Sequence, residues 1–238
     1  MKKFFLMVAV VLAFVMIFVF TAKTSARAAE VSDLLNPERD YLIIVNDDNP
    51  YEFGGEYDGA LQGDLVYAAD VLYGEPTGLE RAAYLAFTEL QFYLREQGME
   101  IGLFSGYRTE EDQQAVYDYY GSLEGWAETN KVTQPGYSEH HTGLMVNVLI
   151  KYNENSTDRN DWIWYTETAE RQETIPYFRQ FHEALADFGF IDRYPKGKEE
   201  ITGFPSEPYE IRFVGSPEVA HAIMDNGLTL EEYVEQNR

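Results

Sequence analysis

Apolar residues recur at helical spacing in five stretches of the chain. The clearest stretch starts at Thr77, where Thr77 and Glu80 have the spacing of a capping box, and it continues until Gly98. A capping residue or a proline at the start and a glycine near the end mark most of the others. The predicted helices cover residues 77–97, 109–121, 178–188, 217–226 and 229 onward.

Alternating or short β-rich apolar runs predict the strands. Residues 101–104, 144–152 and 209–214 fit this pattern, and so does the run YLIIV at residues 41–45. In the second strand, alternation places Asn147 on one face and the most apolar side chains on the other. Because helices and strands are interspersed, the sequence predicts a single α+β domain with a mostly antiparallel sheet flanked by helices.

The N-terminus has the pattern of an export segment. Two lysines precede an apolar run from Phe4 to Phe20, and small residues suitable for cleavage follow near Ala28. We therefore predict a signal peptide or an N-terminal membrane anchor at 1–28, a linker at 29–40 and the folded domain at 41–238. The predicted location is extracellular or in the cell envelope, and the predicted domain is a monomer.

Net charge and cysteine content exclude several kinds of partner and catalytic group. The formal net charge is −23, which argues against nucleic acid as a partner. The chain has no cysteine, so a disulfide, a thiol nucleophile and a cysteine-bound metal are all excluded. Any catalysis must depend on histidine, carboxylates or hydroxyls.

Only one histidine region looks like a site. His140 lies in a polar, glycine-containing turn at residues 138–143 that leads directly into an apolar strand, where functional sites are commonly built. His182 and His221 lie in predicted helices without a second ligand one turn away, so we assign them surface or packing roles. Neighbouring side chains in an extended segment point in opposite directions, so His141 would point away from His140. His141 could replace a metal ligand only if the turn at residues 138–143 adopted a different conformation.

Three motifs, in the same order along the chain, resemble those of the VanY-like zinc-dependent D-Ala-D-Ala carboxypeptidases. Residues 138–143 (SEHHTG) with the following strand to Asn147 resemble the first metal motif of that family. Residues 105–108 (SGYR) resemble its substrate-side arginine motif, and residues 207–210 (EPYE) resemble its second metal motif. The resemblance implies a D,D-carboxypeptidase fold, a role in the bacterial cell wall, peptidoglycan stem peptide as partner and zinc as cofactor.

The resemblance also implies roles for individual residues. Glu207 matches the general base and Arg108 the group that steadies the attacked carbonyl; Arg108 and Ser138 match substrate-binding positions. The metal positions are His140, Asn147 and Glu210, where the family has a histidine, an aspartate and a second histidine. A neutral amide is a poor zinc ligand, and a glutamate differs in reach from an imidazole. We therefore expect weak zinc binding, and we expect Glu210 to raise the pKa of a neighbouring carboxyl group.

Two functions follow from this comparison. In the first, the protein has weakened or lost zinc catalysis but still binds stem peptides, and His140, Asn147 and Glu210 hydrogen-bond to one another in a filled former site. In the alternative, it is an active metallo-carboxypeptidase or endopeptidase that trims stem peptides with a divergent metal set.

Overall fold

The central feature of the fold is an antiparallel sheet with helices packed against it. The computed structural model describes residues 30–68, 77–123, 132–151, 162–163 and 176–237. The strands are β1 Leu65–Tyr67, β2 Gly78–Glu80, β3 Glu100–Ser105, β4 Met145–Lys151, β5 Trp162–Ile163, β6 Phe190–Asp192 and β7 Glu210–Phe213. The α-helices are α1 Glu56–Asp64, α2 Arg81–Glu96, α3 Glu110–Gly121, α4 Pro176–Leu185, α5 Glu199–Thr202, α6 Pro217–Met224 and α7 Leu230–Asn237.

The main sheet has the strand order β3-β4-β7-β6, and β5 also pairs with β4. All of these pairings are antiparallel, and β1 and β2 form a separate hairpin. In the register of the sheet, Ser105 lies opposite Asn147, and Asn147 lies opposite Glu210. The predicted α+β class with a mostly antiparallel sheet is confirmed.

The two faces of β4 have different surroundings. Leu144, just before the strand, and Val146, Val148 and Ile150 join the main core, which also contains the buried stripe of α2. On the other face, Met145 packs against Tyr194 and Phe204. Asn147 shares this second face, because side chains alternate along a strand. The sequence pattern thus correctly separated the core side of β4 from the side that carries candidate chemistry.

Two sequence predictions about the N-terminal half are wrong. Residues 41–45 form no strand; instead, the carbonyl groups of Tyr41 and Ile43 accept hydrogen bonds from the Arg212 guanidinium at 3.2 and 3.1 Å. The helix predicted from Thr77 begins later, at Arg81, because the preceding residues pair in the hairpin and Glu80 caps the helix by accepting from the Ala83 amide at 3.0 Å.

The segment before residue 41 contacts the domain. Val31 is buried in the main core, and Arg39 donates to the Thr142 carbonyl at 2.9 Å and lies over the Tyr57 ring. The predicted boundary at residue 41 stays a prediction. Within the described ranges, no helix combines the length and apolar character that a membrane span requires. The apolar run from Phe4 to Phe20 lies outside these ranges.

Candidate functional site

The imidazole of His140 is oriented by the backbone of the arginine motif. Residues Glu139–Thr142 form a short 3₁₀ helix that Ser138 caps, which leaves His140 buried at the head of β4. Its Nδ1 lies 2.6 Å from the Gly106 carbonyl oxygen, and a carbonyl can only accept, so Nδ1 carries the proton. The other ring nitrogen, Nε2, is therefore an acceptor, and it faces Glu210 Oε1 at 3.9 Å. Burial first, and then the nearby Arg108 charge, lower the pKa of His140 and keep the ring neutral.

His141 is not available as a ligand, because both of its ring nitrogens are occupied. Its Nδ1 donates to the Arg108 carbonyl at 2.8 Å, and its Nε2 accepts from the Gly136 amide at 3.1 Å. Burial lowers its pKa to about 4, so the ring is neutral at physiological pH. His141 ties the turn that carries His140 to the arginine motif.

Asn147 and Glu210 form a direct cross-strand pair between β4 and β7. The Asn147 amide nitrogen donates to Glu210 Oε1 at 2.9 Å. Burial, the largest single influence, raises the pKa of Glu210, but neighbouring groups that include the Arg108 charge and the Asn147 hydrogen bond outweigh it and lower the pKa overall. Glu210 is therefore an ionised carboxylate at the floor of the site; it bonds to Asn147 but lies 3.9 Å from His140 Nε2, so the expected hydrogen bonding among all three residues is present only between two of them.

Glu207 lies close enough to Glu210 for the charge of Glu210 to act on its pKa. Burial and the neighbouring Glu210 charge raise the pKa of Glu207 to about 10. At neutral pH Glu207 is consequently protonated, whereas a general base must be ionised to accept a proton.

Arg108 is held in place by two uncharged side chains. Its Nε and one terminal nitrogen donate to Ser105 Oγ at 3.1 and 2.9 Å, and its other terminal nitrogen donates to Gln113 Oε1 at 3.1 Å. Gln113 is buried on the first turn of α3 and donates to the Thr133 carbonyl at 2.7 Å. The guanidinium is therefore fixed near Glu210, whose charge opposes the lowering of the Arg108 pKa by burial.

The residues on either side of His140 serve the fold. The Ser138 hydroxyl accepts from the His140 amide at 3.3 Å as the cap of the 3₁₀ helix, and it is buried. Glu139 is also buried, and its carboxylate binds Arg193 at 2.7 Å and Arg212 at 3.5 Å. Arg193 in turn binds Glu231 at the start of α7. The structure thus brings together His140, Asn147, Glu207, Glu210 and Arg108, while Ser138 is placed in a capping role.

The donor set does not fit zinc as it stands. Two ligands bound to zinc at about 2.0–2.1 Å with tetrahedral angles lie about 3.3 Å apart, whereas His140 Nε2 and Glu210 Oε1 are 3.9 Å apart. The third position is a neutral amide. In the part of the chain that the structure describes, no group of three His, Cys, Asp or Glu side chains could hold a metal ion.

Sequence reasoning missed three residues that shape the site. Gly106 supplies the carbonyl that orients His140, and a Cβ at this position would collide with the Gly78 carbonyl oxygen. Gln113 holds Arg108; its position on the first turn of a helix just after the arginine motif was a usable signal. His182, assigned to packing, does pack against Phe178, but its Nε2 also donates to the Pro208 carbonyl at 3.1 Å, next to Glu207. No sequence pattern predicts the contact between His182 and Pro208.

Comparison with known proteins agrees with this geometry. Residues 76–216 match the family VanY: D-alanyl-D-alanine carboxypeptidase. The chain belongs to this family. The predicted resemblance to this family is thereby confirmed, and the arginine motif and both metal motifs lie within the matched residues.

Three VanY-family proteins illustrate the similarity. The putative carboxypeptidase YodJ of Bacillus subtilis (strain 168) is 35% identical over 84% of this chain and 69% of its own length. A mutant of the vancomycin-resistance D,D-pentapeptidase VanY, solved in complex with Zn(II), has a TM-score of 0.59 at 29% identity, covering 82% of this chain and 98% of that one. The structure of VanYB in complex with D-alanine-D-alanine has a TM-score of 0.60 at 28% identity, covering 83% and 99%.

Proposed function

We propose that this protein is an exported D-alanyl-D-alanine carboxypeptidase-like protein of the bacterial cell wall that binds peptidoglycan stem peptides with little or no zinc-dependent hydrolysis. One observation carries the proposal. Asn147 donates to Glu210 at 2.9 Å, so two of the three groups that match the family's metal ligands bond to each other, and burial with the Glu210 charge raises the pKa of Glu207 at the position of the family's base.

Retained peptide binding is supported by Arg108. A VanY-family relative has been solved with D-alanine-D-alanine bound, and the family's substrate-side arginine motif is intact in this chain. The guanidinium is fixed by Ser105 and Gln113 and keeps the planar fork that pairs with carboxylates. A peptide carboxylate or carbonyl is therefore the natural partner for this part of the cleft.

The proposal is tested on the purified protein by three measurements. Metal analysis after dialysis against a weak chelator is expected to give far less than one zinc per chain. Incubation with a stem pentapeptide ending in D-Ala-D-Ala is expected to release little or no D-alanine. Calorimetry with the same peptide is expected to show binding, and a peptide ending in L-Ala-L-Ala is expected to bind more weakly.

One observation favours a working peptidase with a divergent metal set. His140 Nε2 is an acceptor that faces the Glu210 carboxylate, which is the orientation of a metal-binding imidazole. Stoichiometric zinc, together with D-alanine release that Glu207→Gln abolishes, would establish this function and overturn the proposal.

A further inference from the structure

The floor of the cleft carries two acceptors that the described part of the chain leaves without a partner. His140 Nε2 and Asn147 Oδ1 are both buried, and neither has a hydrogen-bond partner there. The His140 tautomer is set by the Gly106 carbonyl, and the Asn147 orientation is set by the bond from its amide nitrogen to Glu210. In the neutral ring, Nε2 can therefore only accept a hydrogen bond, and Asn147 Oδ1 is an acceptor in this orientation of the amide.

An unsatisfied buried acceptor is costly, and two such acceptors on residues that both neighbour Glu210 indicate a missing donor. The Glu210 carboxylate is a third acceptor, and its side chain is 13% exposed. Arg108 does not supply the donors: its hydrogen bonds go to Ser105 and Gln113, and neither unpartnered acceptor receives one from it.

We propose that the position between His140, Asn147 and Glu210 binds a primary ammonium group of the ligand in place of a metal ion. An ammonium has three donors and no acceptor, which matches three acceptors and no donor. His140 Nε2 and Glu210 Oε1 are 3.9 Å apart. If the ammonium nitrogen lies about 2.9 Å from each of them, the angle between the two acceptors at the nitrogen is about 85°. Hydrogen bonds from tetrahedral N–H groups are then bent by only roughly 12° each, well within the favourable range.

Charge also favours an ammonium over water at this position. A water molecule has two donors, so it leaves one of three acceptors unsatisfied, and it adds no positive charge beside Glu210. A charged donor makes hydrogen bonds about twice as strong as a neutral one. For a stem peptide, the matching groups are a free side-chain amine or the N-terminal amine, so the identity of the ligand rests on the function proposed above.

The first test uses ammonium ions alone and does not depend on peptide binding. Methylammonium is titrated into protein with ¹⁵N-labelled histidine, and tetramethylammonium, which has the same charge but no N–H donor, is the control. The His140 Nε2 resonance is expected to shift with methylammonium and to stay unchanged with tetramethylammonium. Equal responses to both ions, or none to either, overturn the proposal and leave at most a bridging water at this position.

The second test compares three stem pentapeptides that differ only in their amines. One keeps a free lysine side-chain amine, one keeps a free N-terminal amine, and one has both acetylated. One free-amine peptide is expected to bind at least about tenfold tighter than the doubly acetylated one, since a charged hydrogen bond contributes about 1.5–3 kcal/mol. Glu210→Gln, which still accepts from Asn147, is expected to abolish that preference, whereas Glu218→Gln on an exposed helix is expected to preserve it.

The outcomes separate the two proposals. If all three peptides bind equally, stem-peptide binding stands and the ammonium site is wrong. If none binds, the proposed function fails, and the methylammonium titration still decides the ammonium site by itself.

Discussion

Two neighbouring groups of buried polar side chains differ in how their charges are balanced. Glu139, Arg193, Arg212 and Glu231 form a network with two charges of each sign, linked by ion pairs of 2.5–3.5 Å. His140 follows Glu139 directly in the chain and forms the floor of the site together with Asn147 and Glu210. Hydrogen-bond acceptors outnumber donors among these three side chains. The network pairs its charges within the described residues, even though Glu139 Oε2 and the Arg212 nitrogens Nε and Nη1 form no hydrogen bond there, whereas the three floor residues include no cation to pair with Glu210.

The largest expected effect comes from breaking the network. Arg193→Met leaves Glu139 and Glu231 without their main partner, and removing one member of a buried ion pair costs about 3–5 kcal/mol. The free energy of unfolding in urea measures this loss. Lys198→Met, which removes the partly exposed ion pair between Lys198 and Glu232 of α7, is the control and is expected to cost less than about 1 kcal/mol. Equal losses for the two variants would show that the network does not carry the stability assigned to it.

Asp192 is a buried carboxyl group that lies outside this network of ion pairs. Its Oδ1 has no partner in the described structure, and burial raises its pKa to about 7. The unfolded value is near 4, so this proton stabilises the native state below about pH 4, and the contribution is lost as the pH rises through about 7. Asp192→Asn is expected to be more stable than the wild type by roughly 2–4 kcal/mol at pH 8 and equally stable near pH 4.

Unfolding curves at several pH values measure this difference. Asp225→Asn, at a carboxylate whose side chain is 69% exposed, is the control and is expected to follow the wild type at every pH. A constant offset between Asp192→Asn and the wild type would contradict the assigned protonation state.

Restoring the family ligands tests whether the floor differs from a zinc site only at two positions. Asn147→Asp with Glu210→His recreates the His-Asp-His set around His140. The double variant is expected to bind zinc roughly 100-fold more tightly than either single variant, because a site that lacks one protein ligand stays weak. Competition with a chelating dye gives the affinities. A folded double variant without zinc affinity would mean that the cleft has diverged beyond its ligands.

The smallest effect is expected at Glu207. Because Glu207 is already protonated at neutral pH, Glu207→Gln replaces one neutral group with another of nearly the same shape. Its unfolding free energy at pH 7 is expected to lie within about 1 kcal/mol of the wild type. Glu207→Ala, which removes the buried carboxyl group altogether, is the matched comparison and is expected to lose more. Equal losses in the two variants would contradict the protonation state assigned to Glu207.

The sequence predicted most of the sheet and the set of site residues, because these leave periodic or ordered signals. The α3 helix was predicted from Thr109 and Asp112, and both halves of its capping box are present. The strand predicted at residues 41–45 failed because local apolar character does not reveal that Arg212, far along the chain, binds those carbonyl groups.

The chemistry of the site depended on distances that the sequence does not contain. Asn147 and Glu210 were recognised as substituted positions, but their direct pairing across two strands follows from the sheet register. The raised pKa of Glu207 was anticipated from its neighbour Glu210, but burial, which is the larger cause, was not. The contact from His182 to Pro208 joins an interior helix position to a loop, and no residue spacing predicts it.

The bond from His140 to the Gly106 carbonyl has an evolutionary consequence. A main-chain oxygen remains in place whatever side chains change around it, provided that the glycine is kept. The imidazole can therefore hold its orientation whichever residues occupy the two other metal positions. Substitutions at those two positions can then change the ligand that the site accepts without disturbing the bond that orients His140.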